Sequence, residues 1–265
     1  MRQFAPLLAA ALACGPALAG PADQIVRLDV LPGWRTETGT HMAGFRLTMA
    51  PGWKTYWRAP GEAGIPPEVD WTGSENVASV RFHWPVPEVF EQSGYESIGY
   101  AEQVTIPVEL TPAAPGAPAR MRGRLDIGVC EEVCVPVSLD FAADLPVSAD
   151  RDASLSVALA DRPMTPAEAG LDAATCAVRP SERGLALTAT LALPPLGAEE
   201  TVVVETGDPA LWTTPARVRR EGGRLVATTE IGHAGGQGVA LDRSALTLTV
   251  LGGGRAVEIS GCPAA

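Results

Sequence analysis

The chain has 265 residues, 46% of them hydrophobic, enough for one large core or two smaller ones. Its 31 acidic against 20 basic side chains leave a formal charge of −11. That balance argues against nucleic acid and against anionic lipid surfaces as partners. What the five cysteines mean depends on the compartment, and the N-terminus bears on that first.

The chain opens "MRQFAPLLAAALACGPALAGPAD". Arg2 supplies a positive start, Phe4 to Ala13 are almost wholly apolar, and Ala17-Leu18-Ala19 offers the small residues a signal peptidase reads. The apolar run is too short to span a bilayer comfortably, and no later run reaches membrane length. The expectation is an exported chain with residues 1–19 cleaved as a signal peptide. Lipid attachment at Cys14 is the weaker alternative.

Strand-like alternation follows. "HMAGFRLTMA" puts Phe45, Leu47 and Met49 on one face, with Arg46 and Thr48 on the other. "ASVRFHW", "QVTIPVEL" and "RMRGRLDIGV" repeat the period of two between Pro/Gly-rich turns. After Pro146 "DASLSVALADRPMTPAEAGLD" carries the best helical signals in the chain. A second set of strand-like runs then appears: "GLALTATLAL", "TVVVETG", "RLVATTEI" and "ALTLTVLGG". The pattern predicts an all-β protein of two immunoglobulin-like β-sandwich domains, residues 20–146 and 147–265, with few short helices. The glycines around His233 and at Gly252 to Gly254 lack the lysine and strand–loop–helix setting of a phosphate loop and read as turns. His41, His83 and His233 are too widely spaced for a metal pattern, and no G-x-S-x-G element supports a hydrolase.

The chemistry-bearing stretch is "DIGVCEEVCVP", Asp126 to Pro136. Without Cys14 an exported chain keeps Cys130, Cys134, Cys176 and Cys262, an even number where disulfides persist. If Glu131-Glu132-Val133 is a hairpin turn, Cys130 and Cys134 face each other at about 4.5–5.5 Å between Cα atoms, within disulfide range. Closing so short a loop stabilises by less than the ~3 kcal/mol of a 15-residue loop, whereas a Cys176–Cys262 bridge gives roughly 4–5 kcal/mol. The distant pair therefore suits a structural staple, and the close pair suits redox exchange. A structural clip and a copper or zinc site remain alternatives for the close pair. Glu131 and Glu132 disfavour a thiolate beside them, which suits a selective rather than a promiscuous exchanger.

"PGWKTYWRAPGEAGIPPEVDW", "FHWPVPEVFEQSGYESIGYAEQVTIPVEL" and "DIGVCEEVCVP" occur in that order, and together they resemble the N-terminal periplasmic domain of the DsbD/ScsB family of thiol–disulfide interchange proteins. The resemblance spans roughly residues 24 to 145. It implies a periplasmic, cofactor-free sandwich with a redox dithiol, fed by a thioredoxin-like donor and serving a periplasmic thioredoxin-fold acceptor of the disulfide-isomerase or cytochrome c maturation type. Matched by motif, Cys134 forms the mixed disulfide with partners and Cys130 resolves it. The family's aromatic cap over the dithiol falls on Phe90, with Tyr95 as second choice and Tyr100 lining the site. Two departures stand out. Three residues rather than five separate the cysteines, and the family's membrane conduit and terminal thioredoxin-like domain have no counterpart here, so a separate membrane thiol reductase is implied. The alternative is a non-catalytic adaptor or metal-handling module with a structural Cys130–Cys134 bridge.

Overall fold

The alternating runs form strands almost wherever they occur. The computed structural model describes residues 25–264 apart from 93, 148, 149 and 237, so the expected signal segment and Cys14 lie outside the described residues. The first half contains β1 (Val26–Arg35), β2 (His41–Met49), β3 (Lys54–Gly61), β4 (Glu68–Asp70), β5 (Ser79–Phe82), β6 (Glu88–Gln92), β7 (Tyr95–Ala101), β8 (Gln103–Thr111), β9 (Ala119–Cys130) and β10 (Cys134–Leu145). The helix α1 (Ala153–Ala160) follows. The second half contains β11 (Ala173–Ser181), β12 (Gly184–Ala192), β13 (Thr201–Glu205), β14 (Leu211–Thr213), β15 (Arg217–Glu221), β16 (Arg224–His233), β17 (Thr247–Gly252) and β18 (Arg255–Ser260). The fold is all-β, as expected.

Each half pairs two antiparallel sheets over apolar side chains. In the first, the sheet β1-β2-β8-β5 faces the sheet β10-β9-β3-β7-β6, with β4 also pairing β9. Phe45, Leu47, Val108 and Leu110 from one sheet meet Trp57, Met121, Val129 and Phe141 from the other. The Phe45 ring sits edge-on to Phe141 at 4.9 Å, an arrangement the ring quadrupoles favour. In the second, β11-β12-β16-β14, with β15 on β16, faces β13-β17-β18 over Leu187, Leu191, Leu225, Ile231, Leu248 and Val250.

The helical expectation holds only for α1. Asp152 caps it by accepting a hydrogen bond from the Leu155 backbone N–H at 3.0 Å. Leu155 is fully buried against Trp34 and Met42 of the first half. It packs so close to β2 that a Cβ on Gly44 would lie 2.3 Å from its Cδ2. Beyond Asp161 the segment runs as turns, consistent with the prolines at 163 and 166.

The two halves are joined by more than the linker. Arg58 on β3 donates two hydrogen bonds to Glu205, at 2.9 Å to each carboxylate oxygen, and one to Glu258 at 2.6 Å. Leu251 and Ala256 of the second half pack into the first core, and the Val86 N–H donates to the Asp161 carbonyl at 2.9 Å.

Cys176 and Cys262 are bonded to each other, both buried, with Cα atoms 5.6 Å apart. The bridge ties the C-terminal residues to the edge strand β11, where the Cys176 N–H donates to the Pro263 carbonyl. Replacing both cysteines by Ala is expected to lower unfolding free energy by about 2–5 kcal/mol in chemical denaturation. The Cys130–Cys134 bond should stay intact by mass spectrometry.

Candidate redox site: a dithiol at the end of a sheet

The site is built by sheet register. β9 and β10 pair without interruption from Ala119↔Leu145 to Cys130↔Cys134, and Glu131, Glu132 and Val133 form the exposed turn between them. The twelve paired residues on each strand hold the cysteines opposite each other, with Cα atoms 4.2 Å apart and the sulfurs bonded. Burial separates the two sulfurs' environments: Cys130 is 1% exposed, whereas Cys134 is exposed. An incoming thiolate therefore reaches Cys134 first, and Cys130 is the sulfur left to depart.

On the other side of β9, β3 contributes only two paired residues, Lys54↔Cys130 and Thr55↔Val129. Directly opposed residues share a face of the sheet, so Cys134, Cys130 and Lys54 form one row. Tyr56, two residues further along β3, points to the same face. Its hydroxyl lies 2.7 Å from Cys130 Sγ and 3.1 Å from Cys134 Sγ. Disulfide sulfurs carry no hydrogen, so the phenol donates to both. Burial raises the pKa of the phenol above its usual value, so it keeps its proton at neutral pH.

Two glycines let β3 and its ring settle: a Cβ on Gly99 would lie 2.0 Å from the Thr55 carbonyl oxygen, and Gly128 borders the ring itself. Gly99 is the register partner of Tyr56 on β7. On β9 a Cβ at Gly128 would lie 3.1 Å from the Tyr56 ring and 2.7 Å from the Cβ of Ile65. Thr55 Oγ1 donates to the Gly128 carbonyl at 3.0 Å, fixing β3 at the place where it parts from β9.

The two expected cap residues share one hairpin, and the expected lining residue lies apart from it in the core. Phe90 lies on the β6–β7 hairpin, half-buried, with its ring centroid 4.8 Å from the Lys54 ammonium. Tyr95 stands on the same hairpin and is 57% exposed. Tyr100 is the register partner of Thr55, so it points away from the dithiol into the core, where its hydroxyl donates to the Pro85 carbonyl at 2.9 Å. The structure therefore brings Phe90 to the dithiol row through Lys54 and leaves Tyr100 out of it. Glu131 and Glu132 are exposed beside the sulfurs, and the Glu131 carboxylate lies near Gly52 in the β2–β3 turn.

Sequence reasoning missed Tyr56 and Lys54. Period two sets both on one face of a strand, but the pairing that brings them to Cys130 crosses more than seventy residues of chain. Of the histidines, His41 is buried and donates from Nε2 to the Pro32 carbonyl, with its pKa lowered chiefly by burial. His83 bonds Glu109 at 3.0 Å, and neither lies at the dithiol.

The bonded Cys130–Cys134 pair, with the Cys134 side exposed, is open to thiol–disulfide exchange. Residues 21–146 match the family model of the N-terminal domain of the thiol:disulfide interchange protein DsbD. Among solved structures, the N-terminal periplasmic domain of ScsB from Proteus mirabilis is similar at 24% identity, with a TM-score of 0.69. That match covers 93% of this chain and 97% of that one, so both halves share its fold. The reduced N-terminal domain of DsbD from Neisseria meningitidis matches at 20% identity and a TM-score of 0.28, over 48% of this chain and 90% of that one. No curated protein matches in sequence.

Two substitutions test the site's construction. Tyr56→Phe removes a hydrogen bond to a sulfur that carries charge after reduction. It is expected to raise the lower thiol pKa by about one to two units, read from thiolate absorbance against pH. Gly128→Ala forces a methyl against Ile65 and the Tyr56 ring and should cost about 1–3 kcal/mol in chemical denaturation.

Proposed function

We propose that this protein relays electrons in the periplasm by dithiol–disulfide exchange at Cys130 and Cys134. The donor is a thioredoxin-like protein fed by a separate membrane thiol reductase. The acceptor is a periplasmic thioredoxin-fold oxidoreductase of the disulfide-isomerase or cytochrome c maturation type. The observation that carries this reading is the asymmetry of the bonded pair: an exposed Cys134, a buried Cys130, and a phenol donating to both.

In the accepting step, a donor thiolate attacks Cys134 Sγ in line with the Cys130–Cys134 bond. A mixed disulfide forms, and the electron pair of the broken bond stays on Cys130 Sγ. The Tyr56 hydroxyl already points at that sulfur, so the new charge meets a hydrogen-bond donor without rearrangement. The donor's second thiolate then breaks the mixed disulfide, leaving both cysteines reduced and the donor oxidised. In the delivering step Cys134 attacks the acceptor's disulfide, and Cys130 resolves the product. Exposed apolar side chains beside Cys134, Val133 at 71% and Val135 at 36%, support docking of a partner's apolar active-site surface there. In this reading residues 20–146 carry the chemistry. Residues 147–265 buttress it through the Arg58 ion pairs.

The test is capture. Cys130→Ser leaves Cys134 unable to be resolved, so it should accumulate a covalent mixed disulfide with a thioredoxin-fold partner under mild oxidation. Cys134→Ser should capture little or none. A redox titration of the purified protein separates the rival reading: a purely structural bridge has a potential below about −300 mV, and an exchanging one lies above it.

A further inference from the structure

We propose that Lys54 is the counter-ion of the thiolate that exchange creates on Cys130, and that in the disulfide state its ammonium rests on the ring of Phe90. The inference builds on the exchange reading and adds the group that receives the charge. Lys54 is the one lysine among the 20 basic residues of the sequence; the other 19 are arginines. It stands at the single position on β3 that pairs with Cys130. In the strand order β10-β9-β3-β7-β6 it lies between the dithiol and the Phe90 hairpin, and reaches over β7 to the Phe90 ring.

Cys130 needs such a partner. At 1% exposure it has almost no water to solvate a charge, and a buried anion is costly unless paired. The groups facing it are few. From β3 they are Lys54 and the Tyr56 hydroxyl and from β10 Cys134, while Glu131 and Glu132 are exposed in the adjoining turn, the Glu131 carboxylate by Gly52. Among these Lys54 is the cation. When a partner's thiolate sulfur bonds to Cys134 Sγ, the Cys130–Cys134 bond breaks and its electron pair stays on Cys130. The ammonium of Lys54, the residue directly opposite Cys130 on the same face, then has a full negative charge to turn to, a stronger attraction than the ring quadrupole. A compact ammonium on a flexible stem suits that transfer better than a planar guanidinium. The same movement links the hairpin to redox state: Phe90 is held while the disulfide is closed and released when Cys130 carries charge.

The experiment is a pH titration of thiolate absorbance for Cys130 alone, in the full chain carrying Cys134→Ser. Lys54→Met should raise the Cys130 pKa by about one to three units, the range for an opposite charge at close quarters. Lys54→Arg should restore most of that shift. Phe90→Ala frees the ammonium from the ring and should lower the pKa by up to about one unit. Shifts of opposite sign from Lys54→Met and Phe90→Ala support the proposal, because a merely structural role for either residue does not produce them. A pKa unmoved by Lys54→Met, or moved in the same direction by both variants, overturns it. If Lys54→Met fails to fold, the Phe90→Ala arm decides alone: a pKa that does not fall overturns the proposal. The titration uses no partner protein, so its failure leaves capture at Cys134 standing, and failed capture leaves the titration standing.

Discussion

Everything chemical in this molecule depends on one sheet register, the pairing of Cys134 with Cys130 and of Cys130 with Lys54. A slip of one residue in either pairing would send a sulfur, or the Lys54 and Tyr56 side chains, to the opposite face. The long β9–β10 ladder resists such a slip because Met121, Leu125, Ile127 and Val129 must stay in the core. The core thus holds the sulfurs in register, although none of those residues is polar or reactive. The short β3–β9 contact is the weaker link, with two paired residues and a side-chain bond from Thr55 to Gly128.

The site also shows how one disulfide becomes directional. Both sulfurs share the Tyr56 hydroxyl, so the difference between them is access rather than hydrogen bonding. Cys134 lies on the outer strand of its sheet, next to solvent, whereas Cys130 is flanked by β10 on one side and β3 on the other. In the proposed exchange, attack is therefore steered to the edge and charge to the interior, where the Tyr56 hydroxyl is already in place. Such an arrangement lowers the reorganisation needed at the moment of exchange.

Among the described residues the second sandwich places no hydrogen bond on the dithiol, yet it grips β3, the strand that supplies the Tyr56 hydroxyl. Arg58 sits two residues beyond Tyr56 on β3 and spends its guanidinium on Glu205 and Glu258, while its plane also covers the Trp57 ring at 4.3 Å. The strand that supplies the phenol is therefore anchored at its far end by the other half of the chain. That gives the C-terminal half a physical reason to be present beside a small redox domain.

The amino-acid sequence by itself determined the all-β class, the run of strands in each half, and the three-residue turn that opposes Cys130 and Cys134. These features are local: alternation, turn residues and loop length act within a few residues and need no distant partner. It also pointed to Cys176 and Cys262 as a staple through loop entropy, which depends only on chain separation. Only the tertiary structure decided which side chains meet the sulfurs. Tyr56 and Lys54 reach them because β3 lies beside β9, and Tyr100 is turned away because its partner Thr55 faces the core. The helical signal after Arg162 failed as well: Pro163 and Pro166 break the run of backbone donors there, and Met164, Ala169 and Leu171 pack on the second core from turns instead. Register and facing are properties of pairs of strands, and a single strand read alone carries no record of its neighbour.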